Sequence, residues 1–100
     1  TKAAIYCKDN FARIVSKTII GCSYDFKQCL ITSFNKTNTD LLSKIKESDV
    51  GTTASVVLLV RFKKEPQTRY IYTGNVGDSK IYLLQKDGKC ILMRKIRLDL

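Results

Sequence analysis

Residues 52–62 read Thr-Thr-Ala-Ser-Val-Val-Leu-Leu-Val-Arg-Phe, and this stretch decides the fold class. Thr52, Thr53, Val56, Val57 and Val60 branch at Cβ, which restricts their side-chain rotamers and favours extended backbone. The run Val56 to Val60 is apolar at every position. Alternate residues of a strand point to opposite faces, so this run predicts a central strand covered on both sides. Downstream, Lys63-Lys64-Glu65-Pro66-Gln67 is a polar turn. Arg69 to Thr73 then predicts a second strand with Tyr70 and Tyr72 on one face, and Lys80 to Gln85 a third with Ile81 and Leu83 on one face. Asp87-Gly88 is the strongest hairpin signal in the chain, and Cys90 to Met93 supplies a fourth strand. The expectation is an antiparallel meander of four strands.

Upstream the periodicity changes from two to between three and four. Ala4, Cys7, Phe11, Ile14, Val15, Thr18 and Ile19 fall on one stripe of a helix spanning Lys2 to Ile20, and Gly21 is its expected stop. Phe26, Cys29, Leu30, Phe34, Thr37, Leu41 and Ile45 repeat the pattern behind a candidate N-cap at Ser23 or Asp25. The polar stretch Asn35 to Thr39 suggests an interruption of this second helix. Two helices joined by a short loop pack as an antiparallel hairpin. Two helices followed by a run of antiparallel strands is an α+β fold, with the helix stripe expected to face the sheet.

The chain has 100 residues, 44% of them apolar and 27% charged, which suits one small folded domain. It carries 18 Lys/Arg against 9 Asp/Glu, a formal charge of +9. A partner carrying negative charge is therefore favoured at long range. The longest apolar run is too short to cross a bilayer, so no membrane span is expected. The four cysteines, Cys7, Cys22, Cys29 and Cys90, form no C-x-x-C pair, and the chain has no histidine. A Cys/His zinc site and the Ser-His and Cys-His nucleophile pairs are thereby excluded. The cysteines are read as reduced residues in or near the core. Catalysis, where present, must run on carboxylates and metal.

Between the second and third expected strands lies Gly74-Asn75-Val76-Gly77-Asp78-Ser79. Its two glycines and asparagine allow positive φ, and they hold the carboxylate of Asp78 at the tip of a turn. Such an aspartate either caps the turn or is free to act as a ligand. In order and spacing, Gly51-Thr52-Thr53-Ala54 opening an apolar strand, Asn75-Val76-Gly77-Asp78-Ser79-Lys80 and the hairpin Asp87-Gly88-Lys89 resemble elements of the metal-dependent serine/threonine protein phosphatases of type 2C. Upstream, Ala3-Ala4-Ile5-Tyr6-Cys7 and Phe34-Asn35-Lys36-Thr37-Asn38-Thr39-Asp40 resemble the two helices of that family. The resemblance covers nearly the whole chain.

The resemblance implies a single partial domain over residues 1–100, with a helix pair at 1–48 and a β-meander at 51–97, inside a four-layer αββα sandwich. It implies hydrolysis of phosphoserine and phosphothreonine in phosphorylated proteins, by water, at a pair of Mg or Mn ions and without a covalent phosphoenzyme. Asp78 matches the aspartate assigned to an additional, more weakly held metal; no catalytic residue is carried over. The family's Asp-Gly-His-Gly-Gly motif, expected just before the first helix, is absent, and its later aspartates are expected beyond Leu100. An opening Thr1 fits a piece of something longer. The segment alone is therefore expected to be inactive and to bind no metal ion. After the Asp87-Gly88 hairpin, where the family runs to a Thr-x-Asp-His element, Met93 to Leu100 is basic. The alternatives are a pseudophosphatase or regulatory interaction domain of the same fold, and a basic module for nucleic acid or phosphoprotein with Tyr70, Tyr72 and Tyr82 as stacking surfaces. The expected location is cytoplasmic or nuclear.

Overall fold

The computed structural model describes residues 2–45 and 51–93. The expected helix limit at residue 48, the strand limit at 97 and the basic end at 94–100 lie outside them. The chain contains helices α1 (Lys2–Gly21) and α2 (Phe26–Lys44) and strands β1 (Ala54–Val60), β2 (Tyr70–Val76), β3 (Tyr82–Leu84) and β4 (Cys90–Leu92). The helices form one compact unit and the strands a second. The fold class is α+β.

In the helical unit, Ala3, Ile14 and Val15 of α1 are buried with Phe26, Cys29, Leu30, Ser33, Phe34, Thr37 and Leu41 of α2. The helices are antiparallel, because early residues of one meet late residues of the other. Lys44 Nζ lies 5.6 Å from the Tyr6 ring centroid, the Phe11 and Phe34 rings are 5.0 Å apart, and the Cys29 thiol donates to the Val15 carbonyl at 3.8 Å. The expected α2 stripe is recovered, with Ser33 added. In α1 the buried alanine is Ala3, while Ala4 is exposed.

Helix α1 ends at Gly21, as expected, and the left-handed residues that follow are Ser23 (φ 51°) and Tyr24 (φ 61°). Tyr24 N–H bonds the Ile19 carbonyl and Ser23 N–H the Ile20 carbonyl, both at 3.2 Å, which is the Schellman pattern. The serine occupies the position where glycine is favoured. Ser23→Gly should therefore raise stability by about 0.5–1 kcal/mol, read as a shift of the urea midpoint at constant slope. One expectation is corrected: α2 runs unbroken through Asn35–Thr39. Its hydroxyls turn back on its own carbonyls, Thr37 to Ser33 at 2.7 Å and Thr39 to Asn35 at 3.0 Å, and Lys36 pairs with Asp40 at 3.0 Å. Polar side chains that bond within the helix do not break it. Of the two candidate N-caps, Asp25 is the one used: its carboxylate accepts from Gln28 N–H at 3.2 Å.

In the strand unit, β1 pairs antiparallel with β2 from Ala54↔Val76 to Val60↔Tyr70, and β3 pairs with β4 from Tyr82↔Leu92 to Leu84↔Cys90. The expected four-strand meander is instead two sheets of two strands each. The segment between β2 and β3 turns at Gly77, and β3 is only three residues long. The expected Asp87-Gly88 hairpin is present. Gly88 has φ 89°, Gln85 N–H bonds the Lys89 carbonyl at 2.8 Å, and Lys89 N–H bonds the Asp87 carboxylate at 2.9 Å.

The expectation that β1 is covered on both sides holds for one face. Val56, Leu58 and Val60 are half-buried, as are Tyr70 and Tyr72 of β2, whereas Val57 and Leu59 are exposed. Burial alternates along β1 although every residue from Val56 to Val60 is apolar, so only one face of this strand is shielded from solvent.

Candidate functional site at the Gly77 turn

Strand β2 continues three residues past the expected boundary at Thr73, so Gly74, Asn75 and Val76 belong to the ladder rather than to a loop. The register places Ser55 opposite Asn75 and Ala54 opposite Val76, and it thereby brings the Thr52-Thr53-Ala54 and Asn75-Gly77-Asp78 segments to the same end of one hairpin. This juxtaposition is the core of the candidate site.

Asn75 was expected to supply positive φ. It is instead extended, buried at 7% exposure, and used through its side chain. Its carbonyl oxygen accepts from Ser55 Oγ at 3.2 Å, and its amide donates to the Ser79 carbonyl. One side chain therefore ties strand β1 to the far side of the turn. A buried primary amide needs such partners, because an unmade hydrogen bond there costs on the order of 1–3 kcal/mol.

Gly77 is the turn residue with positive φ, at 98°. A Cβ built on it would lie 2.5 Å from Thr53 Cγ2 and 3.0 Å from Thr53 Cβ. Glycine is thus needed on two counts, backbone conformation and contact with the strand opposite. Asp78 follows it, exposed to solvent, and among the described residues its carboxylate has no hydrogen-bond or ion-pair partner. It does not cap its own turn. An unengaged carboxylate on a backbone fixed by Gly77 and Asn75 is a donor suited to a hard divalent cation such as Mg or Mn. Among the described residues no group of three or more His, Cys, Asp or Glu that could hold a metal ion is assembled.

The remaining sequence candidates separate from this site. Tyr70 is engaged, donating its hydroxyl to Glu65 Oε2 at 2.8 Å and placing its ring 5.5 Å from Phe62, and it shares the half-buried face of β2 with Tyr72. Tyr82 is exposed on β3. The cysteines are free, but Cys90 is exposed on β4, which corrects the expectation that all four lie in or near a core. Burial pushes the Cys29 and Cys7 thiols up from their ordinary value; at Cys29 the Ser33 hydroxyl offsets part of the rise and nearby Cys22 adds to it. A raised thiol pKa stabilises the fold below the ordinary value near 9.0, and that contribution is lost as pH rises through the folded-state value. Alkylation at pH 8 should therefore label Cys90 first and Cys29 only on global unfolding, as read by mass spectrometry of quenched time points.

Asn75 and Ser55 were legible as polar residues but not as a pair. The signal is present only once the strand register is fixed, because they are far apart in sequence and adjacent across the ladder. The contact of Thr53 was not legible for the same reason: it is made with Gly77, a position that has no side chain.

No helix among the described residues is long and apolar enough to cross a membrane. Comparison with curated proteins and with solved structures finds no match. The sequence pattern of the Protein phosphatase 2C family matches residues 1–95, a span that contains both helices, all four strands and the Gly77–Asp78 turn. The chain belongs to the protein phosphatase 2C family.

Proposed function

We propose that these residues form part of a Mg- or Mn-dependent phosphatase acting on phosphoserine and phosphothreonine in proteins, with Asp78 as a metal ligand. The observation that carries this reading is the juxtaposition of the Thr53 and Gly77 segments, which leaves the Asp78 carboxylate unengaged at one end of the β1–β2 hairpin. Family membership supports phosphatase chemistry and phosphoprotein substrates. When bound, a divalent ion supplies charge neutralisation for the phosphoryl oxygens and a lowered pKa for water. The chain's own residues do different work. Asn75 fixes the turn by bonding both Ser55 and Ser79, Gly77 brings the backbone against Thr53, and Asp78 presents a formal negative charge on that fixed support.

The test is phosphate release from a phosphothreonine peptide by the phosphatase domain that contains these residues. Turnover should require Mn or Mg and stop on adding EDTA. The 100-residue chain alone should release no phosphate above a buffer blank, because one carboxylate cannot hold a metal pair. Metal-independent turnover by the domain would overturn the reading.

A further inference from the structure

We infer that the tip of the β1–β2 hairpin, residues 61–69, is a docking surface for an acidic segment of a partner protein. The tip reads Arg-Phe-Lys-Lys-Glu-Pro-Gln-Thr-Arg and carries four cations, Arg61, Lys63, Lys64 and Arg69, against one acid, Glu65. All four cations are exposed, and among the described residues none has a hydrogen-bond or ion-pair partner. The single acid is turned to an internal use, since its carboxylate accepts the Tyr70 hydroxyl, and that bond raises the Tyr70 pKa so the phenol stays neutral. Glu65 keeps its charge in that bond and offsets one of the four cations, so the tip still carries three positive charges in excess.

The cations stand on an ordered support. Glu65 N–H bonds the Phe62 carbonyl and Thr68 N–H the Glu65 carbonyl, both at 3.1 Å, which makes two successive turns around Pro66. The Phe62 and Tyr70 rings close the base edge to face. A charged surface whose backbone is already fixed loses less conformational freedom on binding than a flexible basic tail.

The chemistry of the tip selects among polyanions. Single-stranded nucleic acid is held by exposed rings on which bases stack, and the two rings here are packed on each other. Amphipathic binding to a bilayer needs apolar side chains among the cations, whereas residues 63–69 are Lys, Lys, Glu, Pro, Gln, Thr and Arg and the exposed Leu59 and Ile71 lie on the strands below the tip. Two lysine point charges and two arginine forks match a short run of carboxylates on a protein segment, recognised by complementary charge. The tip lies at the Val60↔Tyr70 end of the hairpin, and the Asp78 turn follows the Ala54↔Val76 end, so the two do not compete. The inference rests on this geometry and not on the phosphatase reading, and binding measured in EDTA tests it alone.

The experiment is fluorescence anisotropy of a labelled oligoglutamate peptide of about ten residues with the 100-residue chain at ~50 mM salt, where exposed charges are incompletely screened. The charge reversal Lys63→Glu with Lys64→Glu should weaken binding at least about tenfold, and the same reversal at Lys86 and Lys89 on the other hairpin less than about threefold. Arg61→Gln with Arg69→Gln, which keeps the turn residues, should reproduce the loss; circular dichroism confirms the fold of each variant. Equal losses from the two hairpins would show attraction to net charge and overturn the inference. So would an undetectable wild-type interaction, or tighter capture of duplex DNA or anionic vesicles than of the peptide through the same residues.

Discussion

Gly77→Ala is expected to destabilise the chain by about 2–4 kcal/mol, with a fall in Tm of roughly 10–20 °C. Two costs add. A Cβ at φ 98° is in a backbone region that L-residues avoid, and the same Cβ would meet Thr53 Cγ2 at 2.5 Å and Thr53 Cβ at 3.0 Å. Thr53 cannot swing away freely, because its branched Cβ restricts χ1 and its Cα is itself only 3.5 Å from the added atom. The two contributions are separable. Thr53→Ser removes Cγ2 and should recover about 1 kcal/mol of the loss in the double variant, leaving the conformational part. Urea unfolding of the two single variants and the double variant measures this. Additive effects, with no recovery, would show that the motif segments do not touch.

Leu30→Ala is the largest effect expected in the helical unit, about 2–5 kcal/mol. Leu30 has 0% exposure and lies on the buried stripe of α2 between Cys29 and Phe34, so truncation leaves a cavity rather than a solvated gap. The control is Leu42→Ala in the same helix. Leu42 is 63% exposed and should change stability by less than about 0.5 kcal/mol. Equal effects at the two positions, measured by urea unfolding, would show that the buried face of α2 is misplaced.

The helices were legible because Phe26, Cys29, Leu30, Phe34, Thr37 and Leu41 repeat at helical spacing, a property local to the sequence. The same reading placed the end of α1 at Gly21 and failed at Asn35–Thr39. Thr and Asn lower helix propensity on average, yet Thr37 and Thr39 bond carbonyls one turn back. Glycine is the usual left-handed residue at a helix end, yet Ser23 and Tyr24 take that conformation here. The hairpin at Asp87-Gly88 was legible from two residues, since turn chemistry is local. The division into two sheets was not, because it depends on which strands pair. At the candidate site, Asp78 and Gly77 stood out by type, while Asn75, Ser55 and Thr53 gained their roles only from the β1–β2 register. The one-sided burial of β1 was equally out of reach, since an all-apolar strand does not say which of its faces is covered.

The central claim is that the turn holds Asp78 for a cation and not for its own backbone. Asp78→Asn in the phosphatase domain containing these residues tests it most directly, with melting temperature and metal-dependent turnover measured on the same sample. The substitution removes a formal charge that a divalent ion needs and leaves the turn intact, since that turn is held by Asn75 and Gly77. The account predicts a Tm within about 2 °C of the unsubstituted domain, with turnover at limiting Mn reduced at least about tenfold. A Tm lowered by several degrees, with turnover per folded molecule and its metal dependence unchanged, would contradict it and make Asp78 a structural residue of the turn.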